Sequence, residues 1–460
     1  MLEMVEAGLD VARLNFSHAD HETHEKSLNM VRDINKKYNT NIAILQDLQG
    51  PKIRIGTLKE PLKIKSGQIV TLRSDITEQK GNVLPIVYDT FAKDVKVGEA
   101  ILMDDGKVEA VVVETNNNNQ VKLKILFGDS IQSRKGVNLP ETNISVPTIT
   151  EKDFVDMDFG IKHNVEWVAL SFVRSADDIK LLKELIRLKN GTSKVIAKIE
   201  KPEALQNIDE IIDAADGIMV ARGDLGVEIP MEEVPAWQKK IIKKSNLAGK
   251  PVIVATQVME SMIENRRPTR AEANDVANAL VDGADAVMLS GETSVGKYPV
   301  EVVSSMSKIL MSVEKEDESI YYRNMDTIPE TAEPLSTAII TTACKLAQET
   351  DAKALIGMTR SGYTAIQLSR CRPKAHIFTF TNNRPVLNTL NLVWGIRAFF
   401  YDGFVSTDDT IQDVHEILKD KDLVVAGDVM INTGSMPILD RGLTNMIKIS
   451  RVREKGDIRE

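Results

Sequence analysis

Cysteine is nearly absent from this chain of 460 residues, which has only Cys344 and Cys371. A disulfide framework is thereby excluded, a reducing compartment fits, and both thiols read as small buried apolar side chains. Long apolar runs are missing too, so no segment reads as a membrane span. The opening Met-Leu-Glu-Met-Val-Glu-Ala-Gly lacks the basic and apolar regions of a signal peptide and reads as a helix ending at Gly8. Nor is there an excess of positive charge. A net charge of -9 speaks against a broad nucleic-acid or anionic-membrane surface, while a local basic pocket remains possible. The expectations are a cytoplasmic protein with no nucleic-acid partner and no membrane partner.

What is present is ordinary for a globular protein: 42% apolar and 27% charged residues, in a chain long enough for two or three domains. Short apolar runs at 10–15, 42–47, 167–172, 194–200, 217–221, 251–256 and 286–290 read as strands. Helical patterns at 176–189, 202–215, 233–248 and 270–282 lie between them. Apolar strands alternating with helices imply a parallel sheet covered on both faces. Nearly every strand ends in polar residues, the habit of a (β/α)₈ TIM-type barrel, whose function collects at the strands' C-terminal ends. A doubly wound open sheet is the alternative, although it normally concentrates ligands at one switch point. Seven strands are present rather than eight, and the absent one would precede the helix ending at Gly8.

Residues 57–140 break the alternation with Val/Ile/Lys patterns cut by glycines and by Asn116–Asn119, as in a small antiparallel β domain. Its place after the 42–47 strand lets it close over the site as a lid, or serve only as a packing insert. A second α/β series begins near residue 328, with strands at 354–358, 376–380, 396–401, 423–426 and 446–449. The expected division is a barrel of 1–56 and 141–325, an inserted lid of 57–140, and a C-terminal α/β domain of 326–460. The linker falls near 324–334.

The most informative residues are in Ala197-Lys-Ile-Glu200 and Met219-Val-Ala-Arg-Gly-Asp-Leu-Gly226. Lys198 and Glu200 lie two apart, hence on one side of a strand. Glu200 and Asp224 offer hard oxygen ligands to a divalent cation, and the glycine-exposed amides suit a phosphorylated acid. Arg13, Asn15 and Ser17 alternate along one extended segment, with Asp47 ending the neighbouring strand. Gly50-Pro51 turns Arg54 back, so that Arg13 and Arg54 could share a phosphoryl group, or could be ordinary surface guanidiniums. Thr256 ends another strand and could bond a ligand or a proton-relay water. The six histidines show no supported metal spacing and read as surface residues.

Eight motifs in order, among them Ala12-Arg-Leu-Asn-Phe-Ser-His18, Gly50-Pro-Lys-Ile-Arg-Ile-Gly56, Lys135-Gly-Val-Asn-Leu-Pro140, the two above, Ala255-Thr-Gln257 and Leu289-Ser-Gly-Glu-Thr293, resemble the pyruvate kinase family. The resemblance implies phosphoryl transfer from phosphoenolpyruvate to ADP, giving pyruvate and ATP. It implies that Glu200 and Asp224 ligate Mg²⁺ (or Mn²⁺) and that Lys198 neutralises the transferring group and the enolate. Arg13 and Arg54 would hold phosphoryl oxygens. The Gly223 and Asp224 amides and Thr256 would take the substrate carboxylate, and a water near Thr256, relayed by Ser290, would protonate the enolate. Asn15, Phe16, Ser17, His18, Arg54 and Lys135 would face the nucleotide. The monovalent-cation pocket would be Asn15, Ser17, Asp47 and Leu48. Many relatives carry Thr, Lys and Glu where this chain has Leu48, Gln49 and Lys52, and those require K⁺. The Lys52 ammonium is therefore expected to replace K⁺. The loop Thr359-Arg360-Ser361-Gly362-Tyr363-Thr364 resembles the family's effector-phosphate loop, and Gly434-Ser-Met-Pro437 lacks the tryptophan and arginine expected near it. A phosphorylated effector, sugar phosphate or nucleotide, and a homotetramer are further expectations. The family has one more strand before the position of Met1, so the barrel is expected to lack its first strand, through a truncated sequence or a misassigned start.

Overall fold

The computed structural model describes residues 1–325, 333–403, 406–436 and 443–453. Most of the expected 324–334 linker, the 325/326 boundary and Pro437 of the 434–437 segment therefore lie outside the described residues.

Seven strands form one sheet: β1 (Val11–Asn15), β2 (Ala43–Asp47), β3 (Trp167–Leu170), β4 (Lys194–Ile199), β5 (Gly217–Ala221), β6 (Val252–Ala255) and β7 (Ala286–Val287). They pair in chain order, every pair parallel. Among the described residues no strand bridges β7 to β1. The residues of β2, β3, β5 and β6 are all buried, because apolar matter covers both faces of the sheet. Leu45, Trp167, Ala169, Ile196, Met219 and Ile253 fill the interior, while alternating Ile44, Val168, Val195, Ile218 and Val254 pack outward against the helices. Leu392 from the C-terminal region joins the interior cluster, and Trp167 Nε1 donates to Thr389 O at 3.3 Å, so the C-terminal region stoppers the barrel's lower mouth.

The helices start where their caps are encoded. Thr150 with Asp153, Ser175 with Asp178, and Thr269 with Glu272 form capping boxes. The helix Leu2–Glu6 ends before Gly8, whose φ of 115° suits glycine alone and where a Cβ would meet Ser307 Oγ at 2.8 Å. Met4, Ala7 and Leu9 there pack with Val302 and Met306 of the helix Pro299–Glu316. First and last barrel helices thus touch even though β1 and β7 do not pair.

The lid is a seven-stranded sheet, mostly antiparallel, that closes on itself. Its end strands Arg54–Ile55 and Val137–Asn138 meet through Val137 N donating to Ile53 O at 3.0 Å and Ile55 N to Lys135 O at 2.9 Å. Its own apolar core includes Ile55, Leu72, Leu84, Ile101 and Leu123. In the C-terminal region β8 (Ala354–Met358), β9 (His376–Thr381), β10 (Ile396–Phe400), β11 (Val429–Gly434) and β12 (Met446–Arg451) form a sheet in the order β10-β9-β8-β11-β12, with only β12 antiparallel.

Four local expectations are corrected. Residues 423–426 are not a strand: Val425 N donates to Asp428 Oδ2, Gly427 adopts a φ of 93°, and the strand begins after that turn, at Val429. The segment after β5, expected to expose amides beside its glycines, is the helix Arg222–Glu228. Ser17 leaves the extended segment, because the chain turns after Asn15 and Asn15 Oδ1 accepts from Ser17 N at 3.1 Å. Both cysteines are buried, as expected. His24, read as a surface residue, is instead buried and stacks on Phe16 with centroids 4.1 Å apart.

Candidate active site

Lys198 sits at the upper mouth, 8% exposed, with three carboxylates around it: Glu200 just past its own strand, Asp47 at the end of β2 and Asp224 in the helix after β5. Its Nζ lies 2.8 Å from Glu200 Oε1 and 3.2 Å from Asp47 Oδ1, and donates to Ser171 Oγ at 2.7 Å. Ser171 in turn donates to Leu48 O at 2.7 Å, so the lysine rests on a chain anchored in the β2 exit. Arg13 grips Asp47 Oδ2 through Nε at 2.7 Å and a terminal guanidinium nitrogen at 2.6 Å. Burial pulls the Lys198 ammonium down, but Asp47, then Glu200 and Asp224, outweigh it and drive its pKa up. Burial pushes the Asp47 carboxyl up, and the Lys198 and Arg13 charges overcome that and hold it low. Glu200 differs: burial, reinforced by Asp224, raises it despite Lys198.

Two residues with unusual backbone frame this cluster. Phe172 has a φ of 56°, which aims its amide at Glu200 Oε2, 2.7 Å away. Thr256, with a φ of 65°, is a β-branched residue in the left-handed region, and Gln257 follows it there. Thr256 Oγ1 accepts from Gly223 N at 2.7 Å and donates to Ala255 O at 2.7 Å. The Gly223 amide, expected to face the substrate, is thus already engaged, and Asp224 stands at the opening of the helix Arg222–Glu228. Arg222 itself turns away to Asp275 and to the carbonyls of Thr256 and Gln257.

The donor set fits a divalent cation. Glu200 and Asp224 repel one another, and among the described residues the Asp224 side chain has no hydrogen-bond partner or ion pair of its own. Two carboxylates that leave most ligand positions to water and substrate oxygens suit Mg²⁺.

Other predicted residues are more scattered. Arg54 donates to Arg134 O at 3.0 Å and Lys135 pairs with Asp104 at 2.9 Å, both within the lid, while Arg13 stays on Asp47. The two arginines are thus held on different partners. Phe16 is buried against His24, and its carbonyl accepts from Lys152 Nζ at 2.7 Å. Asn15 shapes the turn that carries Ser17 and His18. Lys52 lines the cleft between barrel and lid with Asp105, Gly136 and Asp224, its Cε 3.9 Å from where a Gly136 Cβ would stand. In the 359–364 loop Thr359 N donates to Phe380 O at 3.1 Å, Gly362 N to Thr359 Oγ1 at 3.0 Å and Tyr363 N to Ser361 Oγ at 3.4 Å, while Thr364 Oγ1 bonds Thr444 Oγ1 at 2.7 Å, so these amides, expected to face an effector phosphate, are already engaged. Sequence reasoning missed Ser171 as the lysine's support and Lys152 beneath Phe16. Neither belongs to a motif, and only the crossing of the strands brings them near.

Comparisons with known proteins agree with this geometry. The family described as "Pyruvate kinase, barrel domain" matches residues 1–303, and "Pyruvate kinase, alpha/beta domain" matches 337–450. A pyruvate kinase of Corynebacterium glutamicum is 42% identical over 450 residues, covering 98% of this chain and 93% of that protein. One from Mycobacterium intracellulare is 42% identical over 456 residues, covering 99% and 95%. The solved structure of a pyruvate kinase from Cryptosporidium parvum superposes with a TM-score of 0.92 at 35% identity, covering 98% of this chain and 92% of that one. With family domains matched across most of its length, this chain belongs to the pyruvate kinase family.

Proposed function

We propose that this protein transfers the phosphoryl group of phosphoenolpyruvate to ADP, giving pyruvate and ATP. One observation carries the reading: Lys198, buried among Asp47, Glu200 and Asp224 with Arg13 alongside, stands at the strand ends of the barrel, and Asp224 lines the cleft between barrel and lid. A permanently charged ammonium in a low-dielectric mouth stabilises negative charge that builds on the transferring phosphoryl and the enolate oxygen. Arg13 orients phosphoryl oxygens while Asp47 keeps its fork in place. Glu200 and Asp224 would hold Mg²⁺ or Mn²⁺, which would supply Lewis acidity to the bound substrate. The Thr256 hydroxyl, already donating to Ala255 O and accepting from Gly223 N, keeps acceptor capacity to orient a water through which a proton from solvent reaches the enolate. Arg54, Lys135 and the 15–18 turn serve the nucleotide when the lid moves over the cleft.

Formation of ATP from phosphoenolpyruvate and ADP, followed in a coupled assay, tests this reading. Turnover without ATP formation would favour an aldolase or lyase that uses a bound pyruvate enolate. Effector binding without any turnover would favour a regulatory relative.

Two finer readings accompany it. The enzyme works without K⁺, Lys52 supplying the positive charge from the cleft wall. Activity lost in K⁺-free buffer and restored by KCl would sink that idea. The 359–364 loop, at the start of the helix Tyr363–Arg370, takes the phosphate of a sugar phosphate or nucleotide by exchanging its internal amide bonds for the ligand. A flat activity response to a panel of both would remove it. A cytoplasmic homotetramer is the assembly and setting expected from the family, and no described helix is long and apolar enough to cross a membrane.

A further inference from the structure

A buried ion pair outside the proposed chemistry joins three segments that the reaction must coordinate. Glu228 closes the short helix that opens with Gly223 and Asp224, and its side chain is 1% exposed. Its Oε2 lies 2.9 Å from Nζ of Lys201, the residue after Glu200, whose side chain is 4% exposed. Its Oε1 accepts a 2.8 Å hydrogen bond from Asn138 Nδ2. Asn138 belongs to the lid, in the strand Val137–Asn138 through which the chain leaves it, three positions after Lys135. All three residues line the cleft that also holds Asp224 and Lys52.

A buried carboxylate and ammonium are costly to desolvate, and burying both where apolar packing would serve needs a reason. The lid's returning crossing has a separate anchor. Arg174 donates to Ile144 O, to Val146 O at 2.8 Å and to Thr148 Oγ1 at 3.0 Å, fixing the chain as it re-enters the barrel. The Asn138 bond lies on the lid side of that anchor, where rotation about the crossing would stretch it. A neutral amide donating to a buried charged acceptor gives a single bond that can break without exposing an unpaired charge, because Lys201 stays with Glu228.

We propose that Asn138 is a positioning residue of the lid, and that the Glu228–Lys201 pair is its fixed receiver on the barrel. The lid's angle is then set by the helix that carries Asp224, so nucleotide-side Lys135 is held in register with the metal-side carboxylates. The latch itself follows from the contacts, whereas its effect on turnover rests on the phosphoryl-transfer reading.

The test uses the full chain with Asn138→Ala and Asn138→Asp, measuring amide hydrogen exchange over residues 53–58 and 134–139 and the KM values for ADP and phosphoenolpyruvate. Asn138→Ala is expected to speed exchange in those segments and raise the KM for ADP about fivefold to tenfold, with little change for phosphoenolpyruvate, since a hydrogen bond to a charged group is lost. Asn138→Asp, which sets a second carboxylate against Glu228, is expected to do more of both. Unaltered exchange in both variants would overturn the latch, whatever the activity. Faster exchange with both KM values and kcat moving together would overturn the positioning role. An active wild type that does not phosphorylate ADP would break the functional reading while leaving the exchange result to decide the latch.

Discussion

The two mouths of the barrel carry charge in opposite ways. At the upper mouth Asp47, Glu200 and Asp224 stand at or just past the strand ends and face a lysine, an arginine and an open cleft. At the lower mouth Glu166, Asp216 and Asp285 each stand one residue before a strand, and each accepts the first amides of its neighbour. Glu166 takes Ile44 N at 2.8 Å, Asp216 takes Val195 N at 2.9 Å, and Asp285 takes Val252 N at 2.9 Å. The lower acids also meet cations or the C-terminal region. Arg32 and Asn388 bond Glu166, and Asp285 accepts from Trp394 N and lies 3.3 Å from Arg372. Arg372 stacks on the Trp394 ring 4.6 Å from its centroid. Burial pushes Asp285 up and Arg372 down, each against its partner's charge. Above, by contrast, the surrounding carboxylates drive Lys198 to stay charged. Acids whose oxygens are filled by backbone hold strands and domains together. Acids whose oxygens compete for one lysine hold its charge at the open end of the barrel, where the family's chemistry collects.

The sharpest way to break this contrast is Asp285→Ala. It leaves buried Arg372 without its carboxylate and two amides without their acceptor, and should cost about 3–5 kcal/mol of stability, read by urea unfolding, while the folded fraction keeps its kcat. Unchanged stability would mean the lower acids are ornamental. Lys198→Met should do the reverse, cutting kcat about 10²–10³-fold with a folded chain by circular dichroism. Asp224→Asn should raise the Mg²⁺ concentration for half activity by about tenfold or more, seen in a metal titration. The partly exposed Lys183–Asp216 pair, at 3.0 Å, predicts the smallest effect. Lys183→Ala should cost about 1 kcal/mol or less, since the Val195 amide still holds Asp216. A pH series sharpens the lower mouth further. The Asp285 carboxyl is raised in the fold, so the folded state keeps its proton longer than the unfolded chain. Its contribution to stability therefore falls as pH rises from the ordinary aspartate range through the raised value, then levels. Asp285→Asn should remove that segment of the stability profile.

The upper mouth was largely legible in the sequence, because strand period and strand ends together fix it. Lys198 and Glu200 two apart on a strand must share a side, and Asp47 ends β2 in register with Asn15 of β1. The lower mouth was not. Glu166, Asp216 and Asp285 precede their strands in Val-Glu-Trp, Ala-Asp-Gly and Ala-Asp-Ala, strings indistinguishable from turns, and their partners lie far along the chain or on the neighbouring strand. The engagement of Gly223 by Thr256 escaped for a similar reason: a positive φ at a threonine is set by tertiary packing and leaves no mark in composition. Asn138 sits inside a recognised motif, yet nothing local pairs it with Glu228. The misplaced 423–426 strand shows the limit of apolar runs, since Leu-Val-Val-Ala before Gly427 fits a turn's approach as well as a strand.

The closed lid sheet has a consequence for how the chain folds. Because its first and last strands hydrogen-bond to each other beside the crossings, the barrel meets the whole insertion as though it were a short hairpin between β2 and β3. The entropy of closing that long excursion is met inside the insertion, by its own core, instead of by the strands it separates. The insertion's length therefore adds little to the effective sequence distance between β2 and β3, and these two strands can find each other about as readily as near neighbours do.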